Sequence, residues 1–170
     1  MKKIMELLQN MKAKNEKKDN KGFSLVELII VIAIMAILVG IVGTQVLPYI
    51  NKSKEAKDFQ IINSYCTAAT TAYSSNAENI STTASFDVDV YAASLTDDTT
   101  NKKPCKTLQD EIQTLTGYKT NISSLTDKMG SDKGKSITKI VVTFNVPGKE
   151  ISVQAYKGTD PVFDKVVTQL

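Results

Sequence analysis

Three changes in the spacing of apolar residues divide this chain. From Phe23 to Val46 the run is almost wholly apolar and carries one charge, Glu27. At about 1.5 Å of rise per residue, a helix of that length crosses a hydrocarbon core of about 30 Å. After Pro48 the sequence turns polar but keeps helical spacing. Phe59, Ile62, Cys66, Ala69 and Tyr73 recur every three or four positions and form one stripe of an amphipathic helix. Lys52, Lys54 and Lys57 interleave with Glu55 and Asp58, which suits helical pairing in water. The pattern predicts one long helix over 23–75, with Pro48 bending it without ending it.

Beyond the helix, 76–136 reads as a loop region rich in Ser, Thr, Asp and Asn, with a short helix over 88–95. Within it a second helix is predicted over 106–116, with Leu108, Ile112 and Leu115 on one face and Gly117 as its stop. One or two helical turns follow over 121–129, and a turn over 130–135. Strand spacing then takes over. Ile140, Val142, Phe144 and Val146 alternate with polar neighbours in a strand over 137–146. Pro147 and Gly148 turn the chain into an antiparallel partner over 150–156, and the turn from Gly158 to Pro161 leads to a third strand over 162–168. Three strands with one apolar face need a cover, and the Phe59-to-Tyr73 stripe supplies it. The expected fold is α+β: a long N-terminal helix, membrane-spanning in its first half, packed on a small antiparallel sheet.

Charge sets the orientation. All 21 basic residues are lysines, with no arginine and no histidine. Seven of them, Lys2, Lys3, Lys12, Lys14, Lys17, Lys18 and Lys21, precede Phe23, against the three acids Glu6, Glu16 and Asp19. Residues 1–22 therefore form a basic leader that places the N-terminus in the cytoplasm and the 48–170 head outside. Removing the leader changes the net charge from +3 to −1. A conventional secretory signal has an apolar core of about 7–15 residues and a small-residue cleavage site. The run here is longer and lacks such a site, so an uncleaved signal anchor is the alternative.

An acid one turn inside an apolar helix costs free energy and tends to stay where it meets a positive partner. A cut between Gly22 and Phe23 would create an α-amino group able to neutralise Glu27, from the same chain or a neighbour. The bland alternative is an acid near one end of a membrane helix that snorkels to the headgroups. Ala33, Ala36, Gly40 and Gly43 place small side chains along one helix face, which suits close helix packing and is also ordinary membrane-helix composition. The two glycines mark where local melting is expected outside the bilayer.

The sequence Lys21, Gly22, Phe23, Ser24, Leu25, Val26, Glu27, between a basic leader and an apolar run, resembles the prepilin cleavage motif of type IV pilins and pseudopilins. The resemblance implies cleavage after Gly22 by a membrane prepilin peptidase, N-methylation of the new terminus Phe23, and a role for Glu27 in filament assembly. The proline that many members carry within the helix falls later here, at Pro48. The implied product is a pilus subunit, a major pilin by its intact Glu27 and large Ser/Thr-rich loop. It would be stored in the cytoplasmic membrane, then polymerised by the pilus assembly machinery into an extracellular helical homo-oligomer for adhesion, twitching motility or biofilm formation. The alternatives are a secretion pseudopilin and a DNA-uptake pilin.

No catalytic constellation is expected. Without histidine the Ser-His-Asp and Cys-His arrangements are excluded, the phosphate-binding glycine loops are missing, and two cysteines do not complete a zinc site. No metal or cofactor is expected. Cys66 and Cys105 fall in the exported part, where a disulfide is permitted. The alternative is a small buried Cys66 and a free Cys105. Lys102, Lys103 and Lys106 cluster, but a mature chain of net charge −1 without arginine is not expected to bind nucleic acid.

Overall fold

The computed structural model describes residues 24–81, 83, 85–119 and 121–170. They divide into two compact units between Leu47 and Pro48.

In the first unit, α1 (Leu25–Ile41) buries none of its side chains within the chain. Its apolar residues stay exposed, Val39 by 70 % and Ile29 by 52 %. The continuous helix Leu25–Ser75 that it opens has an 18-residue window of mean hydropathy 3.2 and is long and apolar enough to cross a membrane. After α1 the backbone widens into a π-helical turn, Val42–Val46, next to Gly40. The Leu47 amide donates to the Val42 carbonyl, five residues back. Thr44 Oγ1 donates to the Gly40 carbonyl at 3.0 Å and to that of Ile41 at 3.4 Å, satisfying acceptors that a wider turn leaves poorly paired. Pro48 follows in sequence, and α2 (Leu47–Ser75) continues through it.

In the second unit, α2 buries Ile62, Tyr65, Cys66, Ala68, Ala69 and Ala72 in one core with the sheet. The stripe is wider than expected and centred on Tyr65, with Phe59 and Tyr73 at its margins. Tyr73 stacks on Phe144 with ring centroids 6.3 Å apart, and the three alanines let the helix approach closely.

The sheet has five antiparallel strands: β1 (Ser85–Asp89), β2 (Lys139–Asn145), β3 (Glu150–Lys157), β4 (Asp160–Pro161) and β5 (Val166–Gln169). Their order is β1-β2-β3, with β4 and β5 both pairing the far side of β3. Phe86 lies opposite Phe144, Val142 opposite Val153, and Val153 opposite Val166. This register gathers Val88, Ile140, Val142, Phe144, Ile151 and Val153 on one fully buried face.

Several expectations need correction. The short helix over 88–95 is absent. Its start belongs to β1, because Phe86 and Val88 point inward while Ser85 and Asp87 point out, the period of a strand. The third strand is split, since residues 162–165 leave the sheet between β4 and β5. The Val162 amide still donates to the Ala155 carbonyl, and Gln154 Nε2 to that of Phe163. The second helix is α3 (Cys105–Thr116), which Gly117 ends at φ +81°, a left-handed conformation glycine adopts without strain. Short helices α4 (Ile122–Thr126) and α5 (Asp132–Lys135) follow, α5 in place of the expected turn.

Candidate assembly signal and the head that carries it

The start of α1 is a capping box. Ser24 is the N-cap, with extended backbone (φ −62°, ψ 141°), and its Oγ accepts the Val26 amide at 3.3 Å. Glu27 Oε2 accepts the Ser24 amide at 2.8 Å. The carboxylate thus sits at the positive end of the helix, with a main-chain donor already in place. Gly22 and Phe23, the expected cleavage and methylation residues, lie outside the described residues. Ser24 is the residue missed by sequence reasoning. Its signal, Ser-x-x-Glu before an apolar run, was present in the sequence.

The head is fastened to α2 by a buried acid. Asp58 is 2 % exposed. Its Oδ1 accepts the Gly130 amide at 2.8 Å, and its Oδ2 accepts the Ser131 amide at 2.8 Å and the Ser131 hydroxyl. Ser131 Oγ in turn accepts the Gly134 amide at 2.9 Å and caps α5. Beside this latch, Lys133 Nζ pairs with Glu55 Oε2 at 2.8 Å.

A tyrosine cluster fixes the other end. The Tyr65 and Tyr91 hydroxyls share a 2.5 Å hydrogen bond, and the Tyr91 hydroxyl donates to the Tyr118 carbonyl at 3.3 Å. Tyr118 stacks on Tyr65 with the rings 9° from parallel. Burial, reinforced by its neighbour's hydroxyl, pushes the Tyr65 phenol far above its usual range. Burial also raises Tyr91 to about 12, although the Tyr65 hydrogen bond opposes the rise.

Helix α3 is set by polar contacts as much as by apolar ones. Leu108 and Ile112 are fully buried, but Leu115 is 49 % exposed, correcting its expected place on the core face. Gln109 is buried instead, its Nε2 donating to the carbonyls of Asp89, Val90 and Ala92. The α3 N-terminus has no capping side chain of its own. Asp97 supplies one, accepting the Lys106 amide at 2.7 Å, the Thr107 amide at 3.0 Å and the Thr107 hydroxyl at 2.7 Å. Desolvation works to raise the Asp97 pKa, but these bonds outweigh it and hold the carboxyl below its usual range.

The expected Cys66–Cys105 bridge is not formed, and both thiols are free. Cys66 lines a groove beside Val166 and Thr168 of β5, whereas Cys105 opens α3, which packs on β1. These strands occupy opposite edges of the sheet. Burial raises both thiol pKa values, with Asp97 adding to the rise at Cys105. Among the described residues no group of three or more Cys, Asp or Glu is placed to hold a metal ion.

Residues 17–43 match the family model described as the prokaryotic N-terminal methylation motif. No curated protein and no solved structure matches the chain significantly. The matched segment spans the Gly22–Phe23 junction, the Ser24–Glu27 box and the apolar run through Gly43. This is the class III signal read by prepilin peptidases, and it implies processing and assembly into a pilus or pseudopilus. The chain thus carries the prokaryotic N-terminal methylation motif on a long N-terminal helix ahead of an antiparallel sheet, a combination that supports a type IV pilin-like or pseudopilin precursor.

Proposed function

We propose that this precursor is cut after Gly22, methylated on Phe23 and polymerised as the major structural subunit of a type IV pilus serving adhesion, twitching motility or biofilm formation. The observation that carries the proposal is Glu27, the single charge in an otherwise uncharged segment, held at the N-terminus of α1 within the methylation motif. In the filament, neighbouring helices take the place of lipid around α1. Glu27 then receives the terminal amine of Phe23 from an adjacent subunit, which neutralises the buried charge and sets the axial register. The head from Pro48 onward forms the outer surface.

N-terminal mass analysis of protein sheared from the cell surface tests this reading. The expected product is a chain beginning at methylated Phe23 and recovered in long filaments. A chain that begins near Met1 and stays in membranes would overturn it. A processed chain confined to short envelope-bound stalks would replace the pilus with a secretion pseudopilus.

A further inference from the structure

We infer that the start of the head, from Tyr49 to Lys57, is a docking collar for the anionic phospholipid headgroups of the outer leaflet. The inference rests on the reading of the apolar run as a membrane span. After Glu27 the next charged residues are Lys52, Lys54, Glu55, Lys57 and Asp58. Both acids have partners within the head: Asp58 is buried against the Gly130 and Ser131 amides, and Glu55 pairs at the surface with Lys133. The three lysines are exposed, and among the described residues none is in an ion pair. Segment 49–57 therefore presents net positive charge although acids make up two of the five charged positions from Lys52 to Asp58.

The geometry suits a lipid surface. At about 100° per residue Lys54 and Lys57, three positions apart, share one side of α2 and Lys52 lies on the other. Lys54 lays its stem over Gly130, where its Cβ and Cγ lie 3.6 Å from the position a Cβ would take. Asp132 borders the same groove. Tyr49, 76 % exposed, lies about one turn before Lys52 and presents an amphipathic ring of the kind that sits at headgroup level. From Tyr49 to Lys57 the helix rises about 12 Å, comparable to the Debye length of about 8–10 Å over which surface charge is felt. Long lysine side chains shorten that reach by snorkelling. Each lysine should strengthen attraction to an anionic surface by about fivefold.

The test uses the full-length protein in nanodiscs of phosphatidylcholine alone or with about one third phosphatidylglycerol. Lysine acetylation rates are read by peptide mass. In the anionic discs Lys52, Lys54 and Lys57 should be acetylated about fivefold more slowly, with Lys102 and Lys157 unchanged, and high salt should abolish the protection. In K52Q/K54Q/K57Q, spin-labelled phosphatidylglycerol should lose its preference over phosphatidylcholine at the protein surface. Equal acetylation rates in both discs would overturn the collar. Protection of these lysines by duplex DNA in neutral discs, without protection by phosphatidylglycerol, would overturn it in favour of a nucleic-acid contact. Release of the protein from discs by alkaline carbonate would instead overturn the membrane span on which the collar rests.

Discussion

Glu27 accepts the main-chain amide of Ser24 at 2.8 Å, so the one charge in the apolar run is bonded within its own chain before any neighbour arrives. The carboxylate has two separable duties: it caps the helix through an oxygen acceptor, and it carries a negative charge. Glu27→Gln keeps the acceptor and removes the charge, whereas Glu27→Ala removes both. Amide exchange in micelles should show the first turn of α1 as protected in Glu27→Gln as in the parent, and about fivefold less protected in Glu27→Ala, reflecting a cap of about 1 kcal/mol. Both variants should insert in membranes and both should fail to assemble. Filament yield at the parental level from Glu27→Gln would show that charge has no part in assembly.

The Asp58 latch predicts an unequal response of two nearby glycines. A Cβ added at Gly134 would collide with the Asp58 carboxylate and with Met129 Cβ, both within a packed interior. One added at Gly130 would meet Lys54 at 3.6 Å, an ordinary contact. Gly134→Ala should destabilise the head by about 1–3 kcal/mol, and Gly130→Ala by well under about 1 kcal/mol. Asp58→Ala, which strands the Gly130 and Ser131 amides, should cost about 2–4 kcal/mol. Urea unfolding followed by circular dichroism gives all three values.

The tyrosine cluster predicts loss of stability in alkali. The Tyr91 phenol, which in an unfolded chain ionises near pH 10.0, is raised to about 12 in the folded head. The unfolded phenol ionises first, so stability falls as pH climbs above 10 and stops falling on this account once pH passes 12. Tyr65, raised in the same direction by burial, extends the loss. Phenolate absorbance should therefore complete its rise only as the head unfolds. Tyr91→Phe should flatten the pH dependence of the urea midpoint across this window.

Two free thiols, Cys66 on α2 and Cys105 at the start of α3, predict a simple labelling result. Denatured without reductant, each chain should take two alkyl groups, and a mass consistent with a bridge would contradict the structure. In the native protein half-buried Cys105 should react well before Cys66, which is 5 % exposed.

Much of this architecture is readable from local pattern. The apolar run, the α2 stripe and the β2–β3 hairpin follow from periodicity, because each buries a face set by its own sequence. The capping box was equally readable, and so was Asp58, four residues before Ile62 on the buried stripe. Strand β1 was obscured by its Ser, Thr and Asp surroundings, although Phe86 and Val88 already alternate. Gln109 is a different case. Its partners are carbonyls 17 to 20 residues away, brought together only by tertiary folding, so no local pattern favours Gln109 over Leu115 for the core.

Asp97 gives the head a point of tolerance. Because this one carboxylate closes the segment back onto Lys106 and Thr107, the residues between its two feet are held by their ends. The tip around Asp98–Asn101 is turned by its own side-chain bonds. Closing a longer loop costs little more entropy, about 0.6 kcal/mol per doubling. An epitope grafted between Thr99 and Lys102 should therefore be displayed without disturbing α3 beneath it, making this corner of the molecule a natural place for cargo.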